Sequence, residues 1–174
     1  DEVNLSQSSN DVFPTAIHVA AYRGVVERLF PALDQLIASL AEKAAAYQTV
    51  IKVGRTHLQD ATPVTFGQEI SGWQAGLEHT KHMLELALTE IAQLPIGGTA
   101  VGTGLNAPEN FAPLLIEHLN QWTQQPFVEN PNRFHGLASK DATVFLSGAL
   151  KALAANCMKI ANDVRWLASG PRSG

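Results

Sequence analysis

Three long apolar stripes constrain the fold of this chain more than any other feature of its sequence. Apolar residues recur at alternating steps of three and four over 19–40, 66–91 and 146–167, which lines one face of a helix with a heptad seam. Each stripe is about twice the mean helix length of about 11–12 residues. A shorter stripe over 111–122 predicts a fourth helix, and no segment has a sustained strand period. We therefore predict an all-α fold, a bundle of long helices.

Local signals predict where these helices begin and where one is broken. The predicted N-caps are Asp11, Thr62 and Asn106. Glu109 completes a capping box with the last of these. Pro31 lies inside the first stripe and should kink that helix. The stretches 95–106 and 123–137 are rich in Gly, Pro or Asn and are predicted to be loops.

Composition excludes several classes of protein. Only 16% of the 174 residues are charged, against about 25% in typical domains, so we expect much of the surface to be buried within the fold or against partners. A net charge of −4 without a basic face argues against nucleic-acid binding.

Cys157 is the only cysteine, which precludes an internal disulfide, and its seam position predicts a core residue. No uninterrupted apolar run reaches the ~18 residues of a membrane span. We expect no membrane partner.

A run of hydroxyl and amide side chains, here called the first polar segment (residues 4–11), precedes the first helix. It includes Ser8, Ser9 and Asn10. Helix N-termini attract anions because free N–H groups and the helix dipole point there, so these side chains suit a carboxylate. Helix capping alone also explains such residues, and the residues by themselves favour that simpler interpretation.

A second polar segment (residues 54–63) joins two of the predicted helices. His57 is a candidate acid or base near neutral pH. Arg55 and Thr56 are candidate anion ligands, although Arg55 can instead pair with Asp60. A polar surface turn is an equally good interpretation of these residues.

The glycine-rich segment (residues 97–106) and two histidines are weaker candidates. The segment lacks the Gly-Lys-Ser/Thr ending of a phosphate-binding loop, and a plain connector is the favoured interpretation. His79 and His82 have the spacing of a metal pair, but no third ligand is apparent. We expect no metal site and an exposed polar helix face there.

Taken together, these segments resemble the fumarase/aspartase superfamily, and more narrowly the class II fumarate hydratases. The resemblance runs from Ser-Gln-Ser-Ser-Asn-Asp at 6–11, through Gly-Arg-Thr-His-Leu-Gln-Asp at 54–60, to Ile-Ala-Asn-Asp-Val-Arg-Trp-Leu at 160–167. The related aspartate ammonia-lyases usually carry Gln where this chain has His57, so His57 favours the fumarate hydratases.

The resemblance implies a hydro-lyase that interconverts fumarate and L-malate in the tricarboxylic acid cycle, with no cofactor. Ser8, Ser9 and Asn10 match its carboxylate-binding segment. Thr56 matches a further substrate contact, and His57 matches the active-site histidine.

The resemblance also implies an assembly and parts that this chain does not contain. Asp1 matches the edge of a second, non-catalytic dicarboxylate site. The chain corresponds to the central helical domain, and the N-terminal domain and the C-terminal loop that carries the proton-abstracting serine lie outside it. The family forms homotetramers in which subunits share active sites, so we expect the chain alone to be nearly inactive. The expected compartment is the cytoplasm, or the mitochondrion in a eukaryote. The alternatives are an aspartate ammonia-lyase-like enzyme and a purely structural oligomerisation module.

Overall fold

The computed structural model describes residues 2–170, and most of them are helical. The helices are α1 (Ser9–Gly24), α2 (Phe30–Ala46), α3 (Phe66–Ile91), α4 (Phe111–Thr123), α5 (Arg133–Ala138) and α6 (Asp141–Leu167). The strands are β1 (Ile51–Thr56), β2 (Gln59–Thr65), β3 (Gln93–Leu94) and β4 (Val128–Glu129). The dominance of helix agrees with the prediction, whereas the strands do not.

The chain divides into two compact units. The first contains the N-terminal residues up to Glu27 together with Glu85–Gly148. The second contains Arg28–Leu84 and the residues from Ala149 onward. The unit boundaries at 84/85 and 148/149 fall inside helices α3 and α6.

In the first unit, a parallel pair of short strands packs with α1, α4, α5 and the ends of α3 and α6 around an apolar core. β3 pairs with β4 in parallel, and Tyr22 of α1 meets Phe127 edge to face, with ring centroids 5.1 Å apart. Parallel strands need a long crossover connection, and α4 lies within it. The buried apolar residues of this unit include Leu88, Ile91, Leu94, Ile96, Ile116 and Phe127.

In the second unit, α2, α3 and α6 are joined by polar contacts around a core of stripe residues. Lys81 of α3 donates to Asp34 of α2 at 2.5 Å. The Nε1–H of Trp73 in α3 donates to Asp163 of α6 at 2.9 Å. The core residues include Leu33, Leu40, Ile70, Leu77, Leu84 and Leu153, as the stripes predict.

The first stripe is not one regular α-helix, because a π-helical segment, Val25–Leu29, joins α1 to α2. The backbone stays right-handed helical at Val25 and at Leu29, so this segment interrupts a helical run without ending it. Pro31 follows at the start of α2, where it has no backbone N–H to donate to the preceding turn.

The segment before the second stripe forms a hairpin, so the expectation that no segment forms strands is wrong, although the fold is mainly helical. β1 and β2 pair antiparallel, from Ile51 opposite Thr65 to Thr56 opposite Gln59. Helix α3 therefore begins at Phe66, and Thr62 is a strand residue, not an N-cap. β-branched residues favour strands, and Ile51, Val53, Thr56, Thr62, Val64 and Thr65 supply them here.

Two further predictions of local structure are wrong. Helix α4 begins at Phe111 after Asn110, so Asn106 and Glu109 do not form a capping box at its first turn. The predicted loop over 123–137 contains β4 and most of α5.

Helix α6 leaves apolar residues exposed along its length. Cys157 is exposed, so its predicted place in the core is wrong. Val144, Met158 and Trp166 are at least half exposed. Among residues 2–170, α6 is the one helix long and apolar enough by length and composition to cross a membrane, a test that core helices of soluble proteins also pass.

Candidate functional site

The first polar segment forms a capping box at the start of α1. Ser8 is the N-cap, with φ −137° and ψ 157°, and its Oγ accepts from the backbone N–H of Asn10 at 3.2 Å. The side chain of Asp11 accepts from the backbone N–H of Ser8 at 2.8 Å. The prediction of Asp11 as the N-cap is therefore wrong: Ser8 is the N-cap, and Asp11 is the N3 residue of the capping box.

The carboxylate of Asp11 does more than complete this box. It is 0% exposed, and its Oδ2 accepts from the backbone N–H groups of Gly97 at 3.1 Å and Thr99 at 2.9 Å. A buried carboxylate is tolerated only when donors replace its lost water. Sequence reasoning missed this role, because the donors lie more than 80 residues away along the chain.

The glycine-rich segment packs on the first polar segment, so it is more than a connector. The side-chain Nδ2 of Asn10 donates to the backbone carbonyl of Ala100 at 2.7 Å. Gly97 has φ +90°, and a Cβ there would lie 2.6 Å from the Cβ of Ala112, so a larger residue does not fit. The Oγ1 of Thr99 is buried without a hydrogen-bond partner among the described residues.

The second polar segment places His57 at the tip of the β1–β2 hairpin. Thr56 pairs with Gln59, and the two turn residues between them, His57 and Leu58, have φ of 53° and 61°. Positive φ at both positions is the pattern of a type I′ hairpin turn. Thr56 and His57 are exposed, and a tip of this kind presents the imidazole outward.

Arg55 and Asp60 form the ion pair that the sequence left open as one interpretation of Arg55. The Nε of Arg55 lies 3.5 Å from Oδ1 of Asp60 across the hairpin. Both side chains are more than half exposed, so this pair contributes little stability. Arg55 is thereby partly neutralised beside His57.

The predicted site residues are divided between the two compact units of the chain. Ser8, Ser9 and Asn10 lie in the first unit, with the glycine-rich segment beside them. Thr56 and His57 lie in the second unit. Asp1 lies outside the described residues.

A cavity of about 250 Å³ in the first unit holds a second group of titratable side chains. The Nδ1 of His18 lies 3.0 Å from the carbonyl oxygens of both Ile91 and Gln93, and burial lowers the pKa of His18. The Nε2 of His135 lies 2.8 Å from Oδ2 of Asp141, and this hydrogen bond lowers the pKa of Asp141. His18 is thus held neutral, with Nδ1 as the proton donor.

A larger groove of about 940 Å³ in the second unit runs between the hairpin and α6. Its walls mix basic, acidic and apolar groups, including Lys52, Glu69, Met158, Lys159, Asp163 and Trp166. Lys52 is held by Glu69 of α3 at 2.5 Å. Within residues 2–170, no three His, Cys, Asp or Glu side chains are grouped so that they can hold a metal ion.

The sequence and the fold both match known lyases. The family model described as lyase matches residues 1–174, and the chain therefore belongs to the lyase family. It is 60% identical over all 174 residues to a protein of Bacillus subtilis named fumarate hydratase class II, 58% to one of Bacillus anthracis and 53% to one of Helicobacter pylori. The chain spans about 38% of the length of each of these relatives.

Solved structures agree with this assignment. The class II fumarase of Schistosoma mansoni superimposes with a TM-score of 0.93 at 37% identity, over 99% of this chain and 39% of that one. A fumarate lyase:delta crystallin of Brucella melitensis, crystallised bound to cobalt, superimposes with a TM-score of 0.91 at 41% identity, over 99% of this chain and 37% of that one.

Proposed function

We propose that this chain is the central domain of a class II fumarate hydratase, a carbon–oxygen lyase that hydrates fumarate reversibly to L-malate in the tricarboxylic acid cycle. The observation that carries the proposal is His57, an exposed imidazole on a two-residue hairpin tip. Identity of 53–60% to relatives named fumarate hydratase class II, across the whole chain, supports it.

The first polar segment is suited to bind a substrate carboxylate. One N–H of the Asn10 amide is bound to Ala100, so its second N–H can donate to an anion. The Oγ of Ser8 accepts from a backbone N–H, which leaves its own hydrogen free to donate, and Ser9 is exposed at the helix N-terminus. Neutral donors at the positive end of a helix stabilise the extra negative charge that develops when a proton next to a carboxylate is removed.

His57 is suited to acid–base work in the same reaction. An imidazole titrates near neutral pH and can activate the attacking water or return a proton. Thr56, its neighbour on β1, supplies a hydroxyl for the substrate. The opposite proton-transferring group is proposed to be a serine of the family's mobile loop, outside this chain, and no cofactor is needed.

The proposed assembly is a homotetramer with shared active sites, as the family resemblance implies. Leu150, Cys157 and Val164 recur every seven residues on α6 and so lie on one face of the helix. All three are exposed, and an apolar helix face of this kind usually packs against a partner. We infer that sister subunits cover it, and that N- and C-terminal domains complete the intact protein. The proposed compartment is the cytoplasm, or the mitochondrion in a eukaryote, and the isolated chain is expected to be nearly inactive.

The test is a substrate comparison with the intact protein. Loss of the ultraviolet absorbance of fumarate, and its return from L-malate, is expected, while aspartate should give no fumarate. Turnover of aspartate and not of malate would assign the chain to the ammonia-lyases instead. Turnover of neither would leave a structural oligomerisation module as the better description.

A further inference from the structure

Asp11 is the only carboxylate among residues 2–170 that is buried, and its position is unusual. Burying an ionised carboxylate is costly unless donors replace its hydration. Three backbone N–H groups do so, from Ser8, Gly97 and Thr99, at 2.8–3.1 Å. Its two oxygens thus bind two segments that are far apart in the chain: the start of α1 and the glycine-rich segment.

A second contact lies beside this one and runs in the opposite direction. Thr99 donates to Asp11, and the next residue, Ala100, accepts from the side chain of Asn10, the residue before Asp11. The Ala100 carbonyl therefore sets which way the Asn10 amide faces. The position of the Ala100 carbonyl depends in turn on the hydrogen bonds that Asp11 accepts from Gly97 and Thr99.

We propose that Asp11 is a positioning residue for the reaction. It holds the glycine-rich segment against α1, so that the Ala100 carbonyl orients the Asn10 amide toward the substrate carboxylate. This inference rests on the proposed function, and Asp11 itself need not touch the substrate. Simple helix capping requires only the hydrogen bond to Ser8 and does not account for the two bonds to the other segment.

Asp11→Asn tests the proposal while it keeps the size of the side chain. Asparagine has an NH2 group in place of one carboxylate oxygen. At least one of the three backbone N–H groups then faces a donor instead of an acceptor. In the intact protein, KM for fumarate should rise about tenfold, the effect of one weakened hydrogen bond to a charged group, and kcat should change less. Because KM does not depend on enzyme concentration, partial unfolding lowers the maximal rate without raising KM.

A double-mutant cycle shows whether Asp11 acts through Asn10. Asn10→Ala should also raise KM, and adding Asp11→Asn to it should raise KM no further, since the amide that Asp11 orients is already gone. An unchanged KM in Asp11→Asn, or factors that multiply in the double variant, would overturn the proposal.

Two further variants separate positioning from folding. Thr15→Val removes a buried hydrogen bond one turn along α1, from Thr15 Oγ1 to the Asp11 carbonyl at 2.7 Å, and should leave KM unchanged. A rise in KM there equal to that of Asp11→Asn would contradict a specific role.

Asp11→Ser leaves room for water to bind the three N–H groups, so it should fold and show the raised KM. If neither Asp11 variant yields soluble protein, Asp11 has a folding role and the proposal fails. If the wild-type protein does not hydrate fumarate, the proposed function itself has failed.

Discussion

The surroundings of His18 hold its imidazole ring in one protonation state and one tautomer. His18 is 6% exposed, and its Nδ1 faces two backbone carbonyls, so that nitrogen carries the proton of a neutral ring. Burial is the largest influence on His18 and lowers its pKa. The positive charge of Lys140 lowers this pKa further, and the negative charge of Asp141 raises it. Glu90 and His135 also line the cavity into which the ring faces.

The pH dependence of stability tests this state of His18. The unfolded chain protonates His18 near its ordinary pKa, whereas the folded chain does so only at lower pH, so unfolding takes up a proton in that window. Tm of the intact protein should therefore fall as the pH drops below about 6.5. His18→Asn keeps a side-chain N–H donor but cannot be charged, and should flatten this slope. His118→Asn, at an exposed histidine, is the control, and an unchanged slope in His18→Asn would contradict the account.

At the scale of elements, the hairpin that carries His57 depends on a close approach between its strands. The pairing of β1 with β2 shifts register between Val53 and Arg55. This is a β-bulge in β2, where Ala61 and Thr62 lie opposite the single residue Gly54. A Cβ at Gly54 would lie 2.5 Å from the backbone oxygen of Thr62. Only glycine allows the strands to stay paired at this point.

Gly54→Ala should therefore displace the hairpin tip and lower kcat/KM for fumarate about tenfold or more, since small misplacements of catalytic groups are costly. Circular dichroism should show the helices unchanged. Gly72→Ala is the matched control: a Cβ at Gly72 meets nothing within 4 Å, and alanine favours the helix. Equal activity in Gly54→Ala and the wild type would mean that the hairpin does not position a catalytic group.

The elements also show which parts of the fold the sequence could predict. Stripe residues such as Leu77, Leu84 and Leu153 are buried, because helical periodicity is a local signal. The hairpin was missed because its strands have little buried face. Its alternating residues Ile51 and Val53 are exposed, and the alternation is too short to predict a strand. The candidate residues Ser8 and His57 were recognised from family resemblance. The contacts of Asp11 were not predictable, since their partners are set by the tertiary fold.

At the scale of the whole molecule, the proposed sharing of active sites between subunits makes a distinctive prediction. At fumarate concentrations well below KM, the Asn10→Ala enzyme should be weak because its KM is raised, and the His57→Asn enzyme because its kcat is low. If each site joins Asn10 of one subunit to His57 of another, random mixed tetramers regain about one quarter of intact sites. Activity after co-expression of the two variants measures this. A mixed preparation no more active than the mean of the separate variants would mean that one subunit supplies both residues.

The kcat of His57→Asn in the intact protein, measured with fumarate, tests the proposed role of His57 most directly. Asparagine tolerates the positive φ of the hairpin turn, so Tm should be unchanged and the comparison reports the imidazole alone. We expect kcat to fall about 10²–10⁴-fold, the range that general acid–base catalysis contributes. A kcat close to that of the wild type would contradict the assignment of His57 as the acid–base group of this lyase.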